Sequence, residues 1–113
     1  MSRDELMYLQ DIAQSCKKIL CFTEGLNQSE LINDEKTYDA VVRNLEIIGE
    51  AAKHLPARLR EQLPTIEWRK VAGLRDMLVH AYFGIDNDIL WDVIQNKVPK
   101  LHNTVTEFMD EHP

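Results

Sequence analysis

The polar and apolar positions of the chain repeat with helical periods throughout. Ser2 with Glu5 three residues on forms a capping-box pattern, in which each side chain satisfies a backbone donor at a helix start. Leu6, Leu9, Ala13, Cys16 and Leu20 then recur at helical spacing, and Gly25 supplies a stop. A polar stretch leads to Asn33 and Asp34, either of which can cap a second helix with the stripe Tyr38, Val41, Val42, Leu45, Ile48, Ala52 and Leu55. Pro56 and Pro64 bracket a short basic turn or helix from Ala57 to Leu63. A third long helix is expected from near Glu67 to about Ala81, ending before Gly84. Asp86 caps the last, which carries Ile89, Leu90, Val93, Ile94, Val98, Leu101, Val105 and Phe108. Pro99 falls inside that pattern and predicts a kink, because its nitrogen cannot bond the carbonyl of Gln95. No stretch alternates with period two for long enough to make a strand. The expected fold is all-α: an antiparallel bundle of four main helices plus a short one.

A chain of 113 residues predicts one domain, residues 1–113, able to bury a core without staples. No apolar run approaches the roughly 20 residues of a membrane span. The opening Met1-Ser2-Arg3-Asp4-Glu5 lacks the character of a secretory signal, so a cytoplasmic location is expected. Cys16 and Cys21 sit on one helix about 8 Å apart, too far for a disulfide, and read as free thiols. Asp86-Asn87-Asp88 lacks the glycine and distant glutamate of a calcium loop, which leaves helix capping as its account. No glycine-rich phosphate cradle or nucleophile elbow is present.

Net charge is −6, which argues against nucleic-acid binding over the whole surface. Its distribution is uneven. Residues 1–52 hold 5 basic and 10 acidic side chains, residues 53–75 hold 6 and 2, and residues 76–113 hold 2 and 7. The local balances are −5, +4 and −5, so positive charge gathers in the stretch that ends at Arg75.

On a helical wheel of about 100° per residue, Val71, Leu74 and Leu78 share a core-facing side. Ala72, Arg75, Asp76, Val79 and His80 fall on a different side, with Asp76 and His80 four residues apart. Arg75 and Tyr82 align two turns apart, about 10 Å, if the helix runs that far. The small and apolar Ala72 and Val79 within that stripe suggest contact with a protein surface. Taken without further context, Arg75 and Asp76 read as a solvated helix face, His80 as a boundary histidine and Tyr82 as a half-buried aromatic with a wet hydroxyl.

Arg75-Asp76-Met77-Leu78-Val79-His80-Ala81-Tyr82 resembles the Arg-x4-His-x-Tyr signature of the HEPN superfamily, in its HepT-like toxin branch. The segment from Thr37 to Ala52, with its Ile48-Gly49-Glu50-Ala51, is similar to that branch's second-helix pattern, and Ile66-Glu67-Trp68, Ile85-Asp86 and Leu90-Trp91 also fit. Asp76 departs from relatives that carry asparagine or another polar residue there.

The resemblance implies a metal-independent endoribonuclease, a homodimer whose paired motifs line a cleft on the two-fold axis. Arg75 and His80 would be catalytic, with Asp76 in support, and no metal or other cofactor is called for. The implied partners are an RNA substrate and a minimal nucleotidyltransferase antitoxin that transfers AMP to the hydroxyl of Tyr82; neither DNA nor a membrane is expected. The alternative is a non-catalytic, nucleotide- or substrate-binding subunit of a two-component nucleotidyltransferase, and a third reading is a plain helical scaffold.

Overall fold

The computed structural model describes residues 1–79 and 84–113, with the backbone alone described for Arg75, Leu78 and Val79. Among the described residues every regular element is helical: α1 Arg3–Thr23, α2 Gln28–Asn33, α3 Glu35–His54, α4 Ala57–Glu61, α5 Trp68–Ala72, α6 Leu74–Val79, α7 Asn87–Asp92, a π turn Val93–Lys97, and α8 Val98–Glu111. No helix among them is long and apolar enough to cross a membrane.

Local chemistry sets most of the boundaries. Ser2 Oγ accepts from Glu5 N–H while the Glu5 carboxylate accepts from Ser2 N–H, which completes the expected capping box. Gly25 takes φ +78 just beyond α1, a left-handed conformation that favours glycine. Asp34 caps α3 through the Thr37 N–H, and Asp86 caps α7 through the N–H groups of Asp88 and Ile89. The Asp86 segment is therefore a cap, in line with its reading against a calcium loop.

α1 packs along both α3 and α8. Tyr8, near the start of α1, stacks on His54 at the end of α3, so the two helices run antiparallel. Phe108, near the end of α8, shares a recess with Leu6, so α8 also opposes α1. Leu9, Ile12, Ile19, Val41, Leu45, Ile48 and Val105 are wholly buried there.

The structure departs from the sequence expectation in four places. The polar stretch before Asn33 contains α2, opened by a second capping box between Asn27 and Glu30. The buried face of α1 includes Ile12 and Ile19, whereas Leu6 and Leu20 are only partly covered, because that helix is packed from two sides. The third long helix is interrupted: α5 ends at Gly73, whose ψ of −6 departs from the helical value near −42, and α6 begins anew. Where a kink is expected at Pro99, the helix widens into a π turn just before it. Val98 N–H donates to Val93 O five residues back, and Pro99, which has no N–H to give, lies in the first turn of α8.

Candidate active site

The segment singled out from sequence begins on α6. Its approach is built by Trp68, which is buried and donates its indole N–H to Leu63 O at 3.1 Å. That bond ties the first turn of α5 to the loop after α4, since a buried indole needs an acceptor. Glu67 and Lys70 pair across the same turn at 2.8 Å, which holds the Glu67 carboxyl below its ordinary range. α5 and α6 both lie on α3, with Val71, Ala72, Leu74 and Met77 half-buried against the core. Val71 and Leu74 thus face the core as the wheel predicts, and the side chain of Leu78 lies outside the described residues. Ala72, expected on a different side, also packs on the core because α5 and α6 are separate helices.

Arg75 stands on the backbone of α6; its side chain lies outside the described residues, as do His80 and Tyr82. Asp76 is exposed, with its carboxylate 3.7 Å from Lys53 Nζ on α3. Its expected contact with His80 also falls outside the described residues.

Beyond the motif, Gly84 takes φ +97, and the residues after it are tied to the rest of the fold. Tyr38 O–H donates to Asn87 Oδ1 at 2.7 Å, and Gln28 Nε2 donates to Asp88 Oδ1 at 2.7 Å. Burial first, and then the neighbouring Asp39 charge, push the Tyr38 hydroxyl above its ordinary value, which keeps it a donor. α3 therefore meets the chain at two described points around the motif, Lys53 at Asp76 and Tyr38 at Asn87. Lys53 and Tyr38 are 15 residues apart on one helix, about 22 Å along its axis.

Sequence reasoning placed Tyr38 in the apolar stripe and gave Lys53 no role beyond its charge. The signal for Tyr38 was its hydroxyl, which needs a partner once half-buried. The basic stretch also changes meaning. Lys53 pairs with Asp76, Arg58 with Glu5 and Lys70 with Glu67, so half of its six cations face carboxylates. The exposed pairs of Lys53 and Lys70 contribute little to stability, but all three pairs lower the local positive field. Among the described residues no three His, Cys, Asp or Glu side chains gather where a metal ion could be held.

Residues 12–108 match the family described as "Ribonuclease HepT-like". The "Probable ribonuclease HepT" of Thermococcus cleftensis is 43% identical over 101 residues, covering 89% of this chain and 92% of that protein. A "Putative RNase" of Methanocaldococcus jannaschii is 40% identical over 109 residues, covering 96% and 90%. A "Putative RNase" of Caldanaerobacter subterraneus is 38% identical over 104 residues, covering 92% and 93%. No solved structure matches the chain. With its matched span running through α1, α3 and Arg75–Tyr82 to α8, this chain belongs to the ribonuclease HepT-like family.

Proposed function

We propose that this protein is a metal-independent endoribonuclease toxin that works as a homodimer and is neutralised by AMP transfer to Tyr82 from a minimal nucleotidyltransferase antitoxin. The observation that carries the reading is the family match across residues 12–108, which spans the Arg75-x4-His80-x-Tyr82 segment. The packing of α5 and α6 on α3 supports it, since the motif begins on α6 and catalytic groups need a firm base.

In this reading a base removes the proton of the RNA 2′-hydroxyl, and the freed oxygen attacks phosphorus. The bond to the 5′-oxygen breaks, an acid protonates that oxygen, and a 2′,3′-cyclic phosphate remains. His80 is suited to either transfer at neutral pH, because a free imidazole titrates near 6.5. Two copies in a shared cleft supply one base and one acid. Arg75 offers a two-pronged, permanently charged fork to the phosphate oxygens. Asp76 accepts from His80 and orients its ring, a carboxylate having lone pairs for both His80 and Lys53. AMP on Tyr82 adds a phosphate that competes for the Arg75 fork and a nucleoside that blocks the cleft.

The purified protein is expected to cleave RNA in EDTA and leave cyclic phosphate ends. Arg75→Ala or His80→Ala should lower the rate on the order of 10²- to 10⁴-fold with the helical circular dichroism unchanged. Cleavage that survives both substitutions overturns the site assignment, and a fully active monomer in sedimentation overturns the shared cleft. Co-expression with the nucleotidyltransferase should add roughly 330 Da per AMP, a gain that Tyr82→Phe abolishes.

A further inference from the structure

A cleft of about 500 Å³ opens between α5–α6 and the run from α7 through the π turn to α8. Its floor is apolar, with Leu74, Met77, Val93 and Leu101 among its walls. At one end Lys70 from α5, Lys97 from the π turn and Lys100 from α8 gather around Glu67. Glu67 pairs directly with Lys70, and the charges of Lys97 and Lys100 also act on it. Three cations against two carboxylates, Glu67 and Asp92, still leave the cleft locally positive on a chain whose net charge is −6. Lys97 and Lys100 are the two basic residues of the otherwise acidic stretch 76–113, and the fold sets both beside the basic stretch 53–75.

We propose that this cleft takes a nucleotide of the RNA substrate adjacent to the scissile one, its base on the apolar floor and its phosphate on Lys97 and Lys100. The inference rests on the ribonuclease reading for its ligand. An apolar slot with a few polar groups and a cationic end fits the two halves of a nucleotide, and Thr65 and Asn96 on its walls offer groups to a base edge. The cleft also adjoins the motif: Gly73, Leu74 and Met77 line it, and Arg75 follows Leu74 on α6. Lys70 and Arg75 are five residues apart across the break at Gly73, a span of at most about 18 Å, so one strand can meet both. The π turn puts Val93, Asn96 and Lys97 on the cleft wall, in a helix irregularity of a kind frequent at functional sites.

The test uses a fluorescein-labelled single-stranded RNA oligomer and fluorescence anisotropy on the full chain carrying His80→Ala, which keeps the probe intact. Adding Lys97→Ala and Lys100→Ala should raise Kd about tenfold or more near physiological salt and reduce the slope of log Kd against log salt by about 1.4, two lysines each accounting for about 0.7 on a single strand. In the cleaving protein the same lysine pair should raise KM and leave kcat nearly unchanged. An oligomer with one base removed beside the cleavage point should bind more weakly to the protein with both lysines, which separates the floor's role from charge alone. An unchanged Kd and salt slope, in a protein that cleaves RNA, overturns the cleft and leaves the ribonuclease reading standing. Absence of cleavage with lysine-dependent RNA binding does the reverse. If the lysine pair matters for an acidic apolar peptide and not for RNA, the cleft is a protein-docking surface and the proposal fails.

Discussion

The α1–α3–α8 core and the α5–α6 arm are built differently from the same helical vocabulary. The core joins helices of 21, 20 and 14 residues, and Leu9, Ile12, Leu45 and Ile48 have no exposure at all. The arm is two helices of 5 and 6 residues separated at Gly73; Trp68 at its start is buried, and Val71, Leu74 and Met77 beyond it are half-buried. Helices that short have little stability of their own and depend on what they lie against. The arm borrows its order from α3, through packing, the Lys53–Asp76 pair and the Tyr38–Asn87 bond beyond it. The contrast teaches a division of labour: stability is concentrated where no family chemistry lies, and the candidate site occupies the thinner layer.

That contrast can be broken first at the two cysteines. Cys16 is wholly buried in the core, and burial pushes its thiol from 9.0 up to about 12, whereas Cys21 on the same helix is exposed. Three pH units mean about a thousandfold less thiolate, so a disulfide reagent at pH 8 should label one thiol per native chain promptly and both in denaturant. Equal native labelling would show that the core opens readily, and the distinction between core and arm would fall.

A smaller effect is expected from truncation. Leu45→Ala should cost about 3 kcal/mol in urea unfolding, while Met77→Ala on the half-buried arm should cost about 1 kcal/mol. Activity per folded molecule should survive Leu45→Ala, which separates core from chemistry. Equal costs at the two positions would mean that the arm is packed as firmly as the core.

Smaller again is the cap of α1. Ser2→Ala removes the acceptor for Glu5 N–H and should cost about 1 kcal/mol, read as a shift in the urea midpoint. Glu5 also pairs with Arg58 on α4, so a double-mutant cycle between Ser2 and Arg58 will report whether cap and ion pair act together.

The smallest effect concerns acid. The Asp34 carboxylate accepts from the side chain and backbone of Thr37, which lowers it below the ordinary 3.8. A folded value below the unfolded one adds stability above the unfolded value, and that stability is lost as pH falls through the folded value. Asp34→Asn should therefore flatten the acid limb of stability against pH. An unaltered limb would assign acid sensitivity to other carboxylates.

By itself the sequence determined the helical class, the caps at Ser2 and Asp86, a cap at either Asn33 or Asp34, the stop near Gly25 and the family segment at Arg75–Tyr82. These are legible because a cap, a glycine turn or a period of 3.6 is decided among residues three or four apart. The α2 capping box was equally local, but its helix of 6 residues is too short to show an apolar period. The tertiary structure alone decided the interruption at Gly73, the buried face of α1 and the π turn before Pro99. It also decided the partners: Asp76 meets Lys53 across 23 residues, Tyr38 meets Asn87 across 49 and Gln28 meets Asp88 across 60. Lys97 and Lys100, read from sequence as minor members of an acidic stretch, meet Glu67 and Lys70 across the cleft for the same reason. Periodicity says which face of a helix is apolar, but which helix covers that face, and which charges it brings along, depends on how all the faces are satisfied together.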